Sequence, residues 1–199
     1  MSAVTTDLSP DVSAPTATSR PLALLLAVGG LIGLVASFVL TRDKLELLAD
    51  PDFVPSCDFS TVLSCTNIMK TDQASAFGFP NPLIGLIVFP IVVTVGVLLL
   101  ARVPLPEWVW AGLQIGVSLG IAFVLWLQFQ SLYRIGSLCP WCMVVWAVVV
   151  PTFLYVTRRN LMTWLPGSPV SRVLADWHVL VLMLWYIAVV AAIMFRFYV

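Results

Sequence analysis

Charge is what this sequence lacks most, since Asp, Glu, Lys and Arg make up only 10% of its 199 residues. A typical soluble domain has about 25%. Hydrophobic residues account for 60% of the chain, and its formal net charge is zero. No excess of basic residues therefore indicates a nucleic-acid partner. This composition excludes an ordinary soluble domain and indicates a membrane protein.

Residues with catalytic side chains are also rare. The chain has one histidine, His178, and four cysteines. It has no motif typical of a haem, flavin or nucleotide site. No cysteine lies near His178 in the sequence, so we expect this histidine to lie at the membrane interface rather than to act in catalysis. The chemistry of the chain is expected to come from its cysteines.

Five long runs contain no Asp, Glu, Lys or Arg. Each can hold the roughly 20 apolar residues that cross a hydrocarbon core. One ionised side chain at the centre of such a helix costs about 2.5–3.5 kcal/mol on insertion scales, so charge-free runs mark membrane spans. They predict an all-α membrane protein, a four-helix transmembrane bundle with a fifth transmembrane helix. The predicted helices are residues 22–41, 81–101, 108–131, 138–157 and 178–198.

All four cysteines are expected on one side of the membrane. Cys57 and Cys65 precede the second predicted span, and Cys139 and Cys142 follow the third. The chain crosses the membrane and returns between Cys65 and Cys139, so both pairs face the same compartment. This inference depends only on the number of spans between residues 66 and 138.

The charges of the loops leave the orientation undecided, because Lys and Arg are equally divided between the two faces. The Arg158-Arg159 pair after the fourth span favours a cytoplasmic loop there. Dithiol–disulfide chemistry belongs in an oxidising compartment, which places the cysteines outside. We therefore expect a disordered cytoplasmic tail at 1–20 and a cytoplasmic loop at 158–176. Residues 42–80 form the external loop, and its first part, 42–50, is expected along the membrane surface.

Cys139-Pro140-Trp141-Cys142 is a CxxC dithiol pattern at the predicted start of the fourth span. Free N–H groups and the helix dipole stabilise a thiolate at such a position and lower the pKa of the cysteine. Proline suits the first helical turn, where its missing N–H costs nothing. Cys139 is expected nearer the aqueous surface and Cys142 one turn deeper. The motif therefore predicts a redox-active pair.

Other interpretations of four cysteines stay open on this pattern alone. Four thiolates can bind zinc, although the spacing Cys57-x7-Cys65 is unusual for such a site. The cysteines could also be packing residues, or form structural disulfides in a membrane scaffold without activity. Two dithiols on one face instead suggest an electron relay by thiol–disulfide exchange. Such a relay needs a final acceptor, and a lipid-soluble quinone suits a dithiol at the mouth of a helix bundle.

The order of these features resembles the vitamin K epoxide reductase family in its bacterial form. The resemblance covers roughly residues 22–157. It rests on a span, Cys57-x7-Cys65, a hydroxyl residue at Thr71, the segment Gly78-Phe79-Pro80-Asn81-Pro82-Leu83-Ile84-Gly85, and then the CPWC motif. The other membrane quinone–disulfide oxidases have the CxxC pair before the spaced pair. Residues 21–157 would then form the catalytic four-helix bundle around a quinone site, and residues 177–199 the fifth helix.

The resemblance implies roles for eight residues. Cys142 would react with the quinone, Cys139 would exchange with the loop, Cys65 would reach Cys139, and Cys57 would meet the partner. Among the others, Asn81 would hydrogen-bond a quinone carbonyl, although an Asn before Pro82 could also cap the helix. Thr71 stands where the family usually has serine and would also contact the quinone. Met69 and Trp146 would line the quinone pocket, and no metal is expected.

The activity implied is that of a quinone-dependent thiol oxidoreductase in the bacterial inner membrane. It would reoxidise a periplasmic thioredoxin-like protein, expected as a separate chain because this one ends at Val199. The acceptor could be menaquinone, ubiquinone or a form of vitamin K. The alternative is a vitamin K quinone or epoxide reductase that uses thiols only as reductant. The rival from another class is the scaffold with structural disulfides.

Overall fold

The computed structural model describes residues 20–198, and these are almost entirely helical. Five helices are long and apolar enough to cross a membrane, which confirms the predicted fold class. Four of the five precede residue 165 and contain or flank all the cysteines. We number the helices in chain order: α1 Arg20–Ala49, α2 Cys65–Met69, α3 Pro82–Leu100, α4 Glu107–Ile135, α5 Pro140–Trp164 and α6 Pro169–Phe197. Of these, only α2 is too short to cross a membrane.

The first helix continues well beyond its predicted end. Residues 42–49, expected along the membrane surface as part of the external loop, instead prolong α1 to Ala49. The reason is that Leu40 and Leu47, two turns apart, belong to one buried face that packs against Cys57 and Cys65. The helix therefore ends only before Pro51. Of the predicted tail, only Arg20 lies within the described residues, and it begins α1.

The predicted cytoplasmic loop 158–176 is also mostly helical. Helix α5 runs to Trp164 and α6 already begins at Pro169. The extra turns of α5 are held by side chains that the charge pattern alone did not connect. Arg159 forms an ion pair with Glu107 of α4 at 2.8 Å, and the fully buried Asn160 donates to the Trp110 carbonyl at 3.2 Å. The connection is reduced to residues 165–168.

The four inner helices are arranged as two closely packed pairs with a space between them. Helix α1 packs along α3, and α4 packs along α5. Two glycines bring α1 and α3 together: a Cβ on Gly96 would overlap the backbone of Ala27, and one on Gly33 would overlap the ring of Phe89. Helix α5 also contacts α1 and closes the bundle on one side. The remaining space lies between α3 and α4.

The fifth span, α6, packs on the outside of this bundle. It contacts α5 and the last turns of α4, where Trp185 and Ile193 pack against the cluster around Trp146. Most of its other side chains are exposed on the protein surface, as expected for a helix that faces lipid. All four cysteines therefore lie in the part of the chain that precedes α6.

Candidate active site

A short backbone pairing joins the segment before α5 to residues 50–81, the cysteine loop, which carries Cys57 and Cys65. Leu63 and Leu138 form an isolated parallel bridge, in which Ser64 N–H donates to the Leu138 carbonyl at 3.0 Å. The Leu138 N–H donates to the Val62 carbonyl at 2.7 Å. Cys65 follows one side of this bridge and Cys139 follows the other. The pairing therefore brings the two cysteines together although 74 residues separate them.

The two loop cysteines form a disulfide, Cys57–Cys65, with Cα atoms 5.8 Å apart. Asp58 holds the same two chain segments together, because its carboxylate accepts from the N–H and the hydroxyl of Thr66. Burial alone would raise the pKa of Asp58, but hydrogen bonds from Thr66, Ser64 and the Cys65 backbone outweigh it and hold that pKa below its ordinary value. Asp58 thus stays ionised at neutral pH and keeps the loop closed.

Cys65 lies directly against Cys139, with the two sulfur atoms 3.4 Å apart. Cys139 is the N-cap of α5, and its Sγ accepts from the Cys142 backbone N–H at 3.2 Å. Cys139 and Cys142 are both free thiols. The structure therefore has an oxidised loop pair in contact with a reduced CPWC pair, the arrangement that thiol–disulfide exchange requires.

The burial of the cysteines differs from the sequence prediction. Cys139, expected nearer the aqueous surface, is only 1% exposed, because the cysteine loop and α1 cover it. Cys57 and Cys65 are buried in the same cluster, with Leu40, Leu47 and Met69. Cys142 lies deeper along α5, but it is half-buried because it borders a cavity. Within residues 20–198, no group of His, Cys, Asp or Glu side chains converges on a possible metal position.

The cavity occupies the space between α3 and α4 and has a volume of about 900 Å³. Its walls are overwhelmingly apolar. The α4 side includes Gly112, Gly116 and Gly120, and the α3 side includes Val88, Ile91 and Val95. Cys139 and Cys142 border it, which is where the redox pair meets the apolar space. Binding sites for apolar small molecules have this size and this kind of lining, with few polar groups.

Three of the four remaining predicted residues line the cavity, namely Met69, Asn81 and Trp146. The fourth, Thr71, is set off from it: its hydroxyl donates to the Ile68 carbonyl at 2.7 Å and closes the end of α2. The structure thus brings the four cysteines, Met69, Asn81 and Trp146 into one region. It gives Thr71 a local backbone contact instead.

Asn81 does not cap α3, although it occupies the position before the helix. Its side-chain oxygen accepts from the Ala76 N–H at 3.0 Å, and its amide nitrogen donates to the Gln73 carbonyl at 2.6 Å. The capping alternative is therefore wrong. Asn81 instead holds residues 73–76 over the cavity, and one N–H of its amide is left for another acceptor.

Lys44 is a cavity residue that the sequence pattern did not single out. Its ammonium donates to the Met69 carbonyl at 2.6 Å. The interpretation of residues 42–50 as a surface stretch concealed it, because a lysine on a surface segment faces water. Once the segment is the continuation of α1, a lysine one turn beyond Leu40 points into the bundle. Helical periodicity from Ser37 through Leu40 and Thr41 to Lys44 is the signal that could have found it.

A comparison with models of protein families gives a match that covers most of the chain. The family model described as "Vitamin K epoxide reductase family" matches residues 24–157. These residues include α3, all but the ends of α1 and α5, the cysteine loop and the whole of α4. A comparison with curated proteins gives no match.

Proposed function

Since the chain belongs to the vitamin K epoxide reductase family, and is thus a membrane oxidoreductase that couples thiols to a quinone, we propose that it reoxidises a separate thioredoxin-fold protein. In this proposal electrons pass from the partner to Cys57–Cys65, then to Cys139–Cys142, and finally to the quinone. The physiological result is disulfide formation in exported proteins. The scaffold with structural disulfides is inconsistent with this family.

The contact between Cys65 and Cys139 is the observation that carries the proposal. Two sulfur atoms 3.4 Å apart, one in a disulfide and one in a thiol, need only a small movement to exchange. Two unrelated structural cysteines have no reason to meet at this distance inside a buried cluster. Cys142 then connects this contact to the cavity. Each cysteine therefore lies next to the group with which it exchanges electrons in the proposed relay.

The exchange steps balance in electrons. Cys57 is 2% exposed, so the loop that carries it must first open toward the partner. A thiolate of the partner then attacks Cys57 and releases Cys65 as a thiolate, and the second partner thiolate frees Cys57 and leaves the partner oxidised. Cys65 attacks Cys139 of an oxidised CPWC pair, which breaks the Cys139–Cys142 bond. Cys57 finally attacks Cys65, restores the loop disulfide and releases Cys139. Two electrons have then moved from the partner to Cys139 and Cys142.

The quinone is proposed to lie in the cavity beside Cys142, where it takes up two electrons and two protons and leaves as quinol. The apolar walls suit a lipid-soluble acceptor, and the space between α3 and α4 suits its hydrocarbon tail. Met69 and Trp146 would pack against the ring, and the free N–H of Asn81 would reach a carbonyl oxygen.

Replacing Asn81 by alanine is expected to raise the KM for quinone about tenfold, which corresponds to one hydrogen bond of about 1.4 kcal/mol. Quinone reduction by the purified protein with dithiothreitol measures it. Asn67→Ala is the matched control, because Asn67 also holds a loop but lies outside the cavity lining, bonded to Thr61 and Ser137. An unchanged KM in Asn81→Ala would remove Asn81 from the quinone site.

The membrane and its sides also belong to the proposal. We place the protein in a bacterial cytoplasmic membrane, with the four cysteines on the periplasmic side and the connection 165–168 in the cytoplasm. The support is chemical: a disulfide and its exchange partner operate in an oxidising compartment. Arg158 and Arg159 near the opposite end agree with the tendency of basic residues to remain inside.

Trapping in living cells tests the partner and the orientation together. In a Cys65→Ala protein, the Cys57 thiolate can still attack the disulfide of an oxidised partner. The mixed disulfide then persists, because Cys65 is not there to resolve it. We expect capture of an exported thioredoxin-fold protein, and a Cys57→Ala, Cys65→Ala protein as control should capture none. Capture of a cytosolic protein would show that the orientation is wrong, and no capture would contradict the partner-facing role of Cys57.

A further inference from the structure

Lys44 is the only charged side chain that borders the cavity among residues 20–198. It enters from α1, at the end of the cavity where the cysteines lie. Its ammonium donates to the carbonyl of Met69, and Met69 packs in the same cluster as Cys65, Cys139 and the half-buried Cys142. The charge is therefore held at the Met69 carbonyl, at the end of the cavity that the cysteines border.

The ammonium retains unused hydrogen-bonding capacity. It has three N–H groups, and the Met69 carbonyl at 2.6 Å is its one hydrogen-bond acceptor in the described part of the chain. The ion pair that residues 20–198 form joins Arg159 and Glu107, at the other end of the bundle from Lys44. Lys44 thus has no carboxylate to neutralise it, although a charge facing an apolar space is costly to leave unpaired.

The neighbouring residues do not supply that missing charge. Asp43 is adjacent in sequence and 3% exposed, but it does not line the cavity and makes no ion pair with Lys44. The polar side chains that do line the cavity near Lys44, such as Ser37, Gln73 and Asn81, are neutral. A negative charge inside the cavity would therefore have Lys44 as its one fixed counter-charge.

We propose that Lys44 binds a carbonyl oxygen of the quinone and stabilises the negative charge that develops on it during reduction. This inference rests on the proposed function and adds a residue to the same site. Cys139 and Cys142 lose two electrons and two protons as their S–S bond forms. The quinone gains two electrons and two protons, and Lys44 supplies one proton and regains one from the thiols, so it ends as an ammonium.

Asn81 and Lys44 have different functions in this arrangement. The amide of Asn81 is neutral and already bonded to residues 73–76, so it orients the ring in the substrate and in the transition state alike. Lys44 interacts more strongly as charge accumulates. A contact of that kind acts on kcat more than on KM.

The test uses Lys44→Gln and Lys44→Arg in the purified full-length protein. Glutamine removes the charge and keeps a neutral N–H donor on a side chain one bond shorter than that of lysine. Arginine keeps the charge. Dithiothreitol-driven reduction of a short-chain ubiquinone and of a short-chain menaquinone is measured, with kcat and KM determined separately. Reduction of the Cys139–Cys142 disulfide by dithiothreitol without quinone, followed by thiol alkylation, controls for the fold.

We expect kcat in Lys44→Gln to fall about 100-fold, the lower range for removal of one donor to a developing oxyanion. Its KM should change little, disulfide reduction should match the wild type, and Lys44→Arg should keep most of kcat. Wild-type kcat in Lys44→Gln would overturn the inference, as would equal losses in both variants. A wild-type protein that reduced neither quinone would instead contradict the proposed function itself.

Discussion

A Cys142→Ser protein is expected to insert in the membrane but to lose thiol-driven quinone reduction by a factor on the order of 10⁴ or more, the range seen when a nucleophile is removed. Cys142 is the cysteine of the CPWC pair that opens most to the cavity. A serine hydroxyl is a poor nucleophile at neutral pH and cannot form a disulfide with Cys139. The two electrons then have no path to the quinone.

The measurement is quinone absorbance with dithiothreitol as the reductant, on protein purified in detergent. Cys57→Ser is the matched control, because it makes the same chemical change in the same cluster but outside the cavity. Membrane fractionation and thermal unfolding establish that Cys142→Ser is folded. Activity near the wild-type level in a folded Cys142→Ser protein would contradict the relay.

Cys57→Ser should impair the reaction with the thioredoxin-fold partner but not the reaction with dithiothreitol. Oxidation of the thioredoxin-fold partner is expected to fall by about 100-fold or more, since the first exchange loses its electrophile. Quinone reduction by dithiothreitol should remain close to that of the wild type. A small dithiol can reduce Cys139–Cys142 from the cavity side, where Cys142 is half-buried, whereas a folded protein cannot enter there. Both reactions are followed with the same quinone and the same enzyme preparation.

The control for this second prediction is Ser56→Ala, next to Cys57 and exposed. It leaves the disulfide intact and should preserve both activities. Equal loss of both activities in Cys57→Ser would contradict the assignment of Cys57 as the partner-facing cysteine. That result would instead favour a structural need for the loop disulfide, which keeps Cys65 against Cys139.

The sequence by itself determined that this is a membrane protein and that its four cysteines face the same side of the membrane. Charge-free runs of about 20 residues are required by the cost of a charge in lipid, so the five spans could be found without any contact information. The number of spans between Cys65 and Cys139 then placed both pairs on one face. The ordered set of a span, the spaced cysteine pair, the segment 78–85 and the CPWC motif indicated the family. The family match over residues 24–157 confirms it.

Only the tertiary structure decided which atoms meet. The bridge between Leu63 and Leu138 brings Cys65 to 3.4 Å from Cys139, and no periodicity in the sequence encodes a pairing between such distant segments. The structure also extended α1 to Ala49 and turned Lys44 into the cavity. The physical reason is the same in each case. The local sequence determines whether a segment is apolar enough for lipid and able to form a helix. Packing between distant segments determines what each side chain contacts.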